Sequence, residues 1–140
     1  MEPSFQSELS GFLSENGFGR HLSLETVSGG SINDAYRLET TEGAFFLKVN
    51  SASRFPLLFE AEKRGLELLS DSAFVVPKPL LVHQVGANQV LLLKWVEKGS
   101  PKENFWEVFG RRLAKLHSIT NDSFGLDHDN YIGSLPQTNG

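Results

Sequence analysis

Cysteine is absent from the 140 residues. That excludes disulfides, thiolate zinc sites and cysteine nucleophiles. No apolar run approaches the roughly 20 residues that a membrane-spanning helix needs. The opening Met1-Glu2-Pro3-Ser4 lacks the basic and then apolar segments of a secretion signal. A cytoplasmic protein with no membrane partner is the expectation. Basic charge is also scarce. Thirteen Lys and Arg stand against 17 Asp and Glu, a formal net charge of −4. A dedicated nucleic-acid binder usually carries a basic excess, so no nucleic-acid partner is expected. The four histidines show no zinc-ligand spacing. Asp127-His128-Asp129-Asn130 looks like a metal cluster, but Ile132 occupies the glycine position of a calcium loop and no glutamate closes it.

What is present reads as an ordinary folded domain, 39% hydrophobic and 21% charged. The length suits one domain, or one lobe and part of another. Phe5, Leu9, Phe12 and Leu13 are helix-spaced and predict a helix over 4–16, stopped by Asn16-Gly17. Leu22, Leu24 and Thr26 alternate with more polar neighbours as a first strand. A Gly-rich turn, Ser28-Gly29-Gly30-Ser31-Ile32-Asn33, follows. Segments 34–40 and 43–50 read as a hairpin around Thr41-Glu42-Gly43, with Gly43 in the left-handed position of a bulged turn. A second helix is expected over 57–70. Two more strands, 80–85 and 89–96, flank Gly86-Ala87-Asn88. Glu97-Lys98-Gly99 reads as a linker. Ser100-Pro101-Lys102-Glu103 has the form of a helix start, with Ser as cap and Pro at the first position. Phe105, Phe109, Leu113 and Leu116 then mark one face of a helix over 101–118. Residues 121–140 show no clear period. Five strands with a helix after the third give an α+β fold, an antiparallel sheet with a helix packed on it.

Two residues carry the chemical signal. Lys48 sits in the strand Ala44-Phe45-Phe46-Leu47-Lys48-Val49-Asn50. Hairpin geometry puts it opposite Ala35 or Tyr36, close to the mouth of the Gly-rich turn. It shares a strand face with Phe46 and Asn50. It is either an edge-strand lysine that blocks aggregation or a ligand-gripping group. Leu58, Glu62, Leu66 and Leu69 form the apolar stripe of the second helix. Glu62, not Glu60, therefore points inward. A buried carboxylate costs several kcal/mol unless it is paired, and Lys48 is the natural partner. A snorkelling glutamate at the stripe's edge is the alternative. Loop, lysine and helix glutamate in this order match the way protein-kinase-like folds hold ATP phosphates. Gly29 and Gly30 allow backbone N–H groups to approach phosphate oxygens, with Ser31 and Asn33 as further donors. No Gly-Lys-Ser/Thr follows the glycines, so this is not a Walker loop.

Gly29 through Tyr36, Phe46-Leu47-Lys48-Val49-Asn50 and Phe59-Glu60-Ala61-Glu62 with Gly65-Leu66 resemble the fructosamine kinase (ketosamine-3-kinase) family. Phe109-Gly110 with Leu113-Ala114-Lys115-Leu116-His117, and the segment from Asn130 to Asn139, extend the resemblance over nearly the whole chain. It implies a protein-kinase-like fold. Residues 1–96 would form the nucleotide-binding N-terminal lobe. Residues 97–140 would form the hinge and the start of the helical C-terminal lobe. It implies ATP and Mg2+ as cofactors and a ketosamine, phosphorylated on its sugar 3-hydroxyl, as substrate. Lys48 would contact the phosphates and Glu62 orient it. Gly29 and Gly30 would cover them, and Trp95, Val96 and Glu97 would occupy the hinge. Two departures matter. Ser31 stands where many members carry cysteine. The family's catalytic His-Gly-Asp with its Asn, and its metal-binding Asp, have no match in these 140 residues; Ser123-Phe124-Gly125 lacks the Asp of the kinase Asp-Phe-Gly motif. The 140 residues alone are therefore expected to be inactive, and the apolar face over 101–118 to invite self-association. A non-catalytic nucleotide-binding or dimerising module is the rival reading, and an unrelated α+β domain a third.

Overall fold

Alternation along one strand organises the fold. In β3 (Gly43–Ser51), Phe45, Leu47 and Val49 point to one face of the sheet, and Phe46, Lys48 and Asn50 to the other. Each face is covered by one helix. The structure, a computed structural model, describes residues 2–28, 32–70, 72 and 74–139. Helix α1 (Pro3–Glu15) precedes β1 (His21–Thr26), β2 (Asp34–Thr40) and β3. Helix α2 (Leu58–Ser70) leads to β4 (Pro79–Val85) and β5 (Asn88–Lys94). Helix α3 (Phe105–His117) and a short hairpin, β6 (Asn130–Ile132) and β7 (Leu135–Gln137), complete the chain. The five long strands form one antiparallel sheet in the order β1-β2-β3-β5-β4.

On one face, Phe5, Leu9 and Leu13 of α1 pack onto Leu38, Leu47, Val90 and Leu92. On the other, Phe55, Leu58 and Phe59 pack onto Leu91 and Leu93. Strand β5 is thus buried on both sides, which is why Val90-Leu91-Leu92-Leu93 reads as an unbroken apolar run.

Several expectations are corrected. Lys48 lies on the central strand of the sheet, so the edge-strand role is removed. Thr40 pairs with Gly43 across a two-residue turn, Thr41-Glu42, with no bulge in the β2–β3 register. The Thr40 hydroxyl accepts from the Glu42 N–H at 3.0 Å and closes the turn. Gly43, at φ +123°, opens β3 instead of sitting in the turn. Strand β5 ends at Lys94, not at 96, because Phe45–Lys94 is the last pair it makes with β3. Helix α3 starts at Phe105, not at Pro101. Residues 97–104 are exposed, and capping preference alone does not carry a helix. Three-residue strands are too short to show a period, so the β6–β7 hairpin within 121–140 escaped the sequence.

Candidate functional site

Lys48 faces Ala35 on β2 and Leu91 on β5, and its side chain leaves the sheet toward α2. Phe59 and Glu62 are three apart on that helix and so share a face. One ammonium meets both. Lys48 Nζ donates to Glu62 Oε1 at 2.7 Å and Oε2 at 2.6 Å. It also lies 5.6 Å from the centroid of the Phe59 ring. Phe59 is fully buried at 0% exposure, which fixes the turn that presents Glu62. The Lys48 and Glu62 side chains are 18% and 30% exposed, so the pair sits half-buried at the edge of the core. Glu60 on the same helix faces solvent. Two of the three ammonium protons serve Glu62, which leaves one for a further acceptor.

Two residues along β3, Asn50 donates from Nδ2 to Asn33 Oδ1 at 2.7 Å. Asn33 closes the Gly-rich turn, so this bond ties the turn's end to the Lys48 strand. The expected donor role of Asn33 is left to its own amide nitrogen. Asn50 is buried, and its Oδ1 has no partner among the described residues, a cost that a polar ligand or water would offset. Gly29, Gly30 and Ser31 lie outside the described residues. Beside the pair runs a groove of about 390 Å3 whose lining includes Ile32, Asn33, Glu62, Leu66, Leu126 and Tyr131. The apolar stripe of α2 therefore borders a groove beyond its first turn, and only Leu58 and Phe59 are buried.

Trp95, Val96 and Glu97 leave the end of β5. Trp95 is held between Phe46, with ring centroids 6.1 Å apart, and the Arg37 guanidinium, 5.1 Å from its ring. Its indole N–H is buried and unpartnered among the described residues. Glu97 reaches within 3.9 Å of Arg37 but is mostly exposed, and Val96 is exposed. Phe46 lies on the same strand face as Lys48, so Asn33, Lys48, Glu62 and Trp95 border one side of the sheet.

Sequence reasoning missed four supporting residues. Asn50 was detectable, since it shares the Lys48 face at two residues' distance. Phe59 was detectable from its helix spacing to Glu62. Arg37 and Tyr131 depend on contacts between distant segments and left no local signal. Phe124 of the Ser-Phe-Gly sequence is fully exposed. Among the described residues no group of three His, Asp or Glu side chains could hold a metal ion. No described helix is long and apolar enough to cross a membrane.

Comparison with known proteins gives this geometry a setting. The family model for fructosamine kinase matches residues 10–140. A Synechocystis protein named "probable ketoamine kinase" is 36% identical over 116 residues, covering 81% of this chain and 39% of that protein. The chloroplastic protein-ribulosamine 3-kinase of Arabidopsis thaliana is 36% identical over 123 residues, covering 83% and 36%. Crystal structures of candidate fructosamine-3-kinases align with the whole fold. The Haemophilus somnus protein superposes with a TM-score of 0.82 at 26% identity, over 96% of this chain and 47% of that one. The Thermobifida fusca protein gives 0.71 at 29% identity, over 94% and 46%. This chain thus spans about two fifths of the length of the curated relatives it matches. The five-stranded antiparallel sheet with its helix after the third strand is the expected protein-kinase-like architecture. With its family model matched from residue 10 to the last and its fold shared, the chain belongs to the fructosamine kinase family.

Proposed function

We propose that this chain is the nucleotide-gripping part of an ATP-dependent kinase that phosphorylates the sugar 3-hydroxyl of ketosamines. The observation that carries this reading is the bidentate Lys48–Glu62 pair, from central strand to α2, in a member of this family. Glu62 holds the ammonium in place, and its third N–H is available to a phosphate oxygen. Gly29, Gly30 and Ser31 would line the phosphates from the turn, with the Asn33 amide nitrogen beside them. Trp95 to Glu97 would border the adenine. On this reading residues 1–96 are the nucleotide lobe, and 97–140 the hinge and the start of a second lobe, in a cytoplasmic enzyme.

Phosphoryl transfer needs a group that orients the acceptor hydroxyl and metal ions that neutralise the transferring phosphoryl. A general base contributes typically 10²–10⁴-fold. The 140 residues match neither the base nor the metal ligands of the family. They are proposed to bind ATP without transferring its phosphate. Magnesium would be held by residues other than those described. A coupled assay of ADP release with a fructosamine substrate tests this: turnover by the 140-residue chain alone contradicts it.

A second reading is a non-catalytic nucleotide-binding or dimerising module, favoured by the aromatic face of α3. Phe105 stacks on Phe109, Trp106 meets both edge to face, and all three are exposed. Such a face favours self-association. A strict monomer by light scattering at high concentration contradicts the dimerising form.

A further inference from the structure

The β6–β7 hairpin touches the machinery at a point that the nucleotide reading does not use. The Tyr131 hydroxyl donates to the Pro56 carbonyl at 2.9 Å. Its ring meets Phe55 edge to face, with centroids 6.4 Å apart. Pro56 and Phe55 are the entry to α2. Between them and the helix stands Leu57 at φ +60°, a backbone conformation that a leucine adopts only where its surroundings impose it. Tyr131 holds the carbonyl just before that strained residue.

Further along α2, past Glu62, Arg64 Nη2 lies 3.3 Å from Asp127 Oδ2. The Asp127 carboxyl is held below its ordinary range, first by the hydrogen bond with His128 and then by Arg64. The segment also ties itself together. Asn139 Nδ2 donates to the His128 carbonyl at 3.0 Å and to Asn130 Oδ1 at 2.9 Å. Its backbone N–H donates to Asp129 Oδ1. Gly133 turns the hairpin at φ +62°, with the Ile32 side chain 3.6 Å from where a Cβ would sit. Apart from the hairpin's own strands, α2 is the only helix or strand that it packs against among the described residues. The hairpin's other contacts reach the Phe55-Pro56 entry to that helix and Ile32. Helix α2 carries Glu62; beyond Leu58 and Phe59 none of its residues is fully buried, and Leu66 packs on the core from a half-buried position.

We propose that the β6–β7 hairpin is a brace for α2, and that Tyr131 is the positioning residue through which it holds Glu62 against Lys48. Loss of the Tyr131–Pro56 bond frees the strained entry to α2. The helix then swings and the pair opens part of the time. The consequence for nucleotide affinity rests on the function proposed above; the coupling from Tyr131 to the pair does not.

The test uses the ligand-free protein. Acylation of Lys48 by an amine-reactive ester is followed by mass spectrometry in wild type, Tyr131→Phe, Tyr131→Ala and Glu62→Gln. An ammonium engaged by Glu62 reacts slowly, and Glu62→Gln sets the fast limit. Tyr131→Phe is expected to raise the Lys48 rate about threefold to tenfold, the range that one lost hydrogen bond allows. Tyr131→Ala should raise it further. Amide exchange in β3 and β5 should stay at the wild-type level in Tyr131→Phe, while exchange in α2 rises. An unchanged Lys48 rate in Tyr131→Phe overturns the proposal. So does exchange that rises equally in sheet and helix, which would make Tyr131 a general stability residue. If Tyr131→Ala does not fold, the isosteric Phe variant decides alone. Titration with Mg-ATP gives a separate arm. Tyr131→Phe should weaken binding relative to wild type, and unchanged binding in Tyr131→Phe counts against the brace. Failure of the wild type to bind overturns the nucleotide reading, and the labelling result still judges the brace.

Discussion

Removing either partner of the Lys48–Glu62 pair should destabilise the fold by more than a surface ion pair and less than a buried one. At 2.7 Å, Coulomb attraction at an effective dielectric of 20 is about 6 kcal/mol. Desolvation offsets most of that, by several kcal/mol per ion when burial is complete. Here burial is incomplete, with side chains 18% and 30% exposed. Exposed pairs contribute about 0–1 kcal/mol, and breaking a fully buried pair costs about 3–5 kcal/mol. The coupling between these two residues should therefore be about 1–2 kcal/mol. Urea unfolding of wild type, Lys48→Met, Glu62→Gln and the double variant isolates it. The slope with urea should stay constant across the four proteins. Glu60→Gln, on the exposed side of α2, should shift stability by no more than about 0.5 kcal/mol. A coupling below about 0.3 kcal/mol, within the additivity error of independent sites, would refute the claim that the two side chains act as one unit.

Other consequences are open to measurement. Phe59→Ala removes a fully buried ring that packs on Leu91 and Leu93 and lies under Lys48. It should cost about 3–5 kcal/mol in urea unfolding, and a loss under about 1 kcal/mol would mean that the site is not closed as described. Burial, and then nearby Asp34, raise the Tyr36 hydroxyl above its ordinary 10.0. The stability linked to that shift is fully present below pH 10 and is lost as the pH rises through the folded-state value. Tyr36→Phe should flatten the fall in urea midpoint above pH 10, and an identical fall in both proteins would count against it. Trp106→Ser with Phe105→Ser should abolish concentration-dependent association in light scattering without lowering the thermal midpoint by more than a few degrees, because α3 buries no residue.

The residues themselves explain what could be read in advance. Lys48 and Glu62 were legible because each breaks the pattern of its own element, a charge in a strand and a charge in an apolar stripe. Their partner choice followed from chain order and one hairpin's register, both local properties. The sheet was legible because β5 is apolar on both faces and α1 on one. The start of α3 was misread because the Ser100-Pro101 signal concerns capping alone, while the helix begins where aromatic side chains first find one another. Tyr131 and Arg37 could not be seen. Their partners, Pro56 and Trp95, are 75 and 58 residues away in sequence, and no periodicity links segments at that distance.

The central claim is that Lys48, held by Glu62, grips the phosphates of ATP. Calorimetric titration of Mg-ATP into the wild-type chain and into Lys48→Ala tests it most directly. Binding by the wild type and its loss in Lys48→Ala is the predicted result. Equal binding by the two proteins, or none by the wild type, would contradict it.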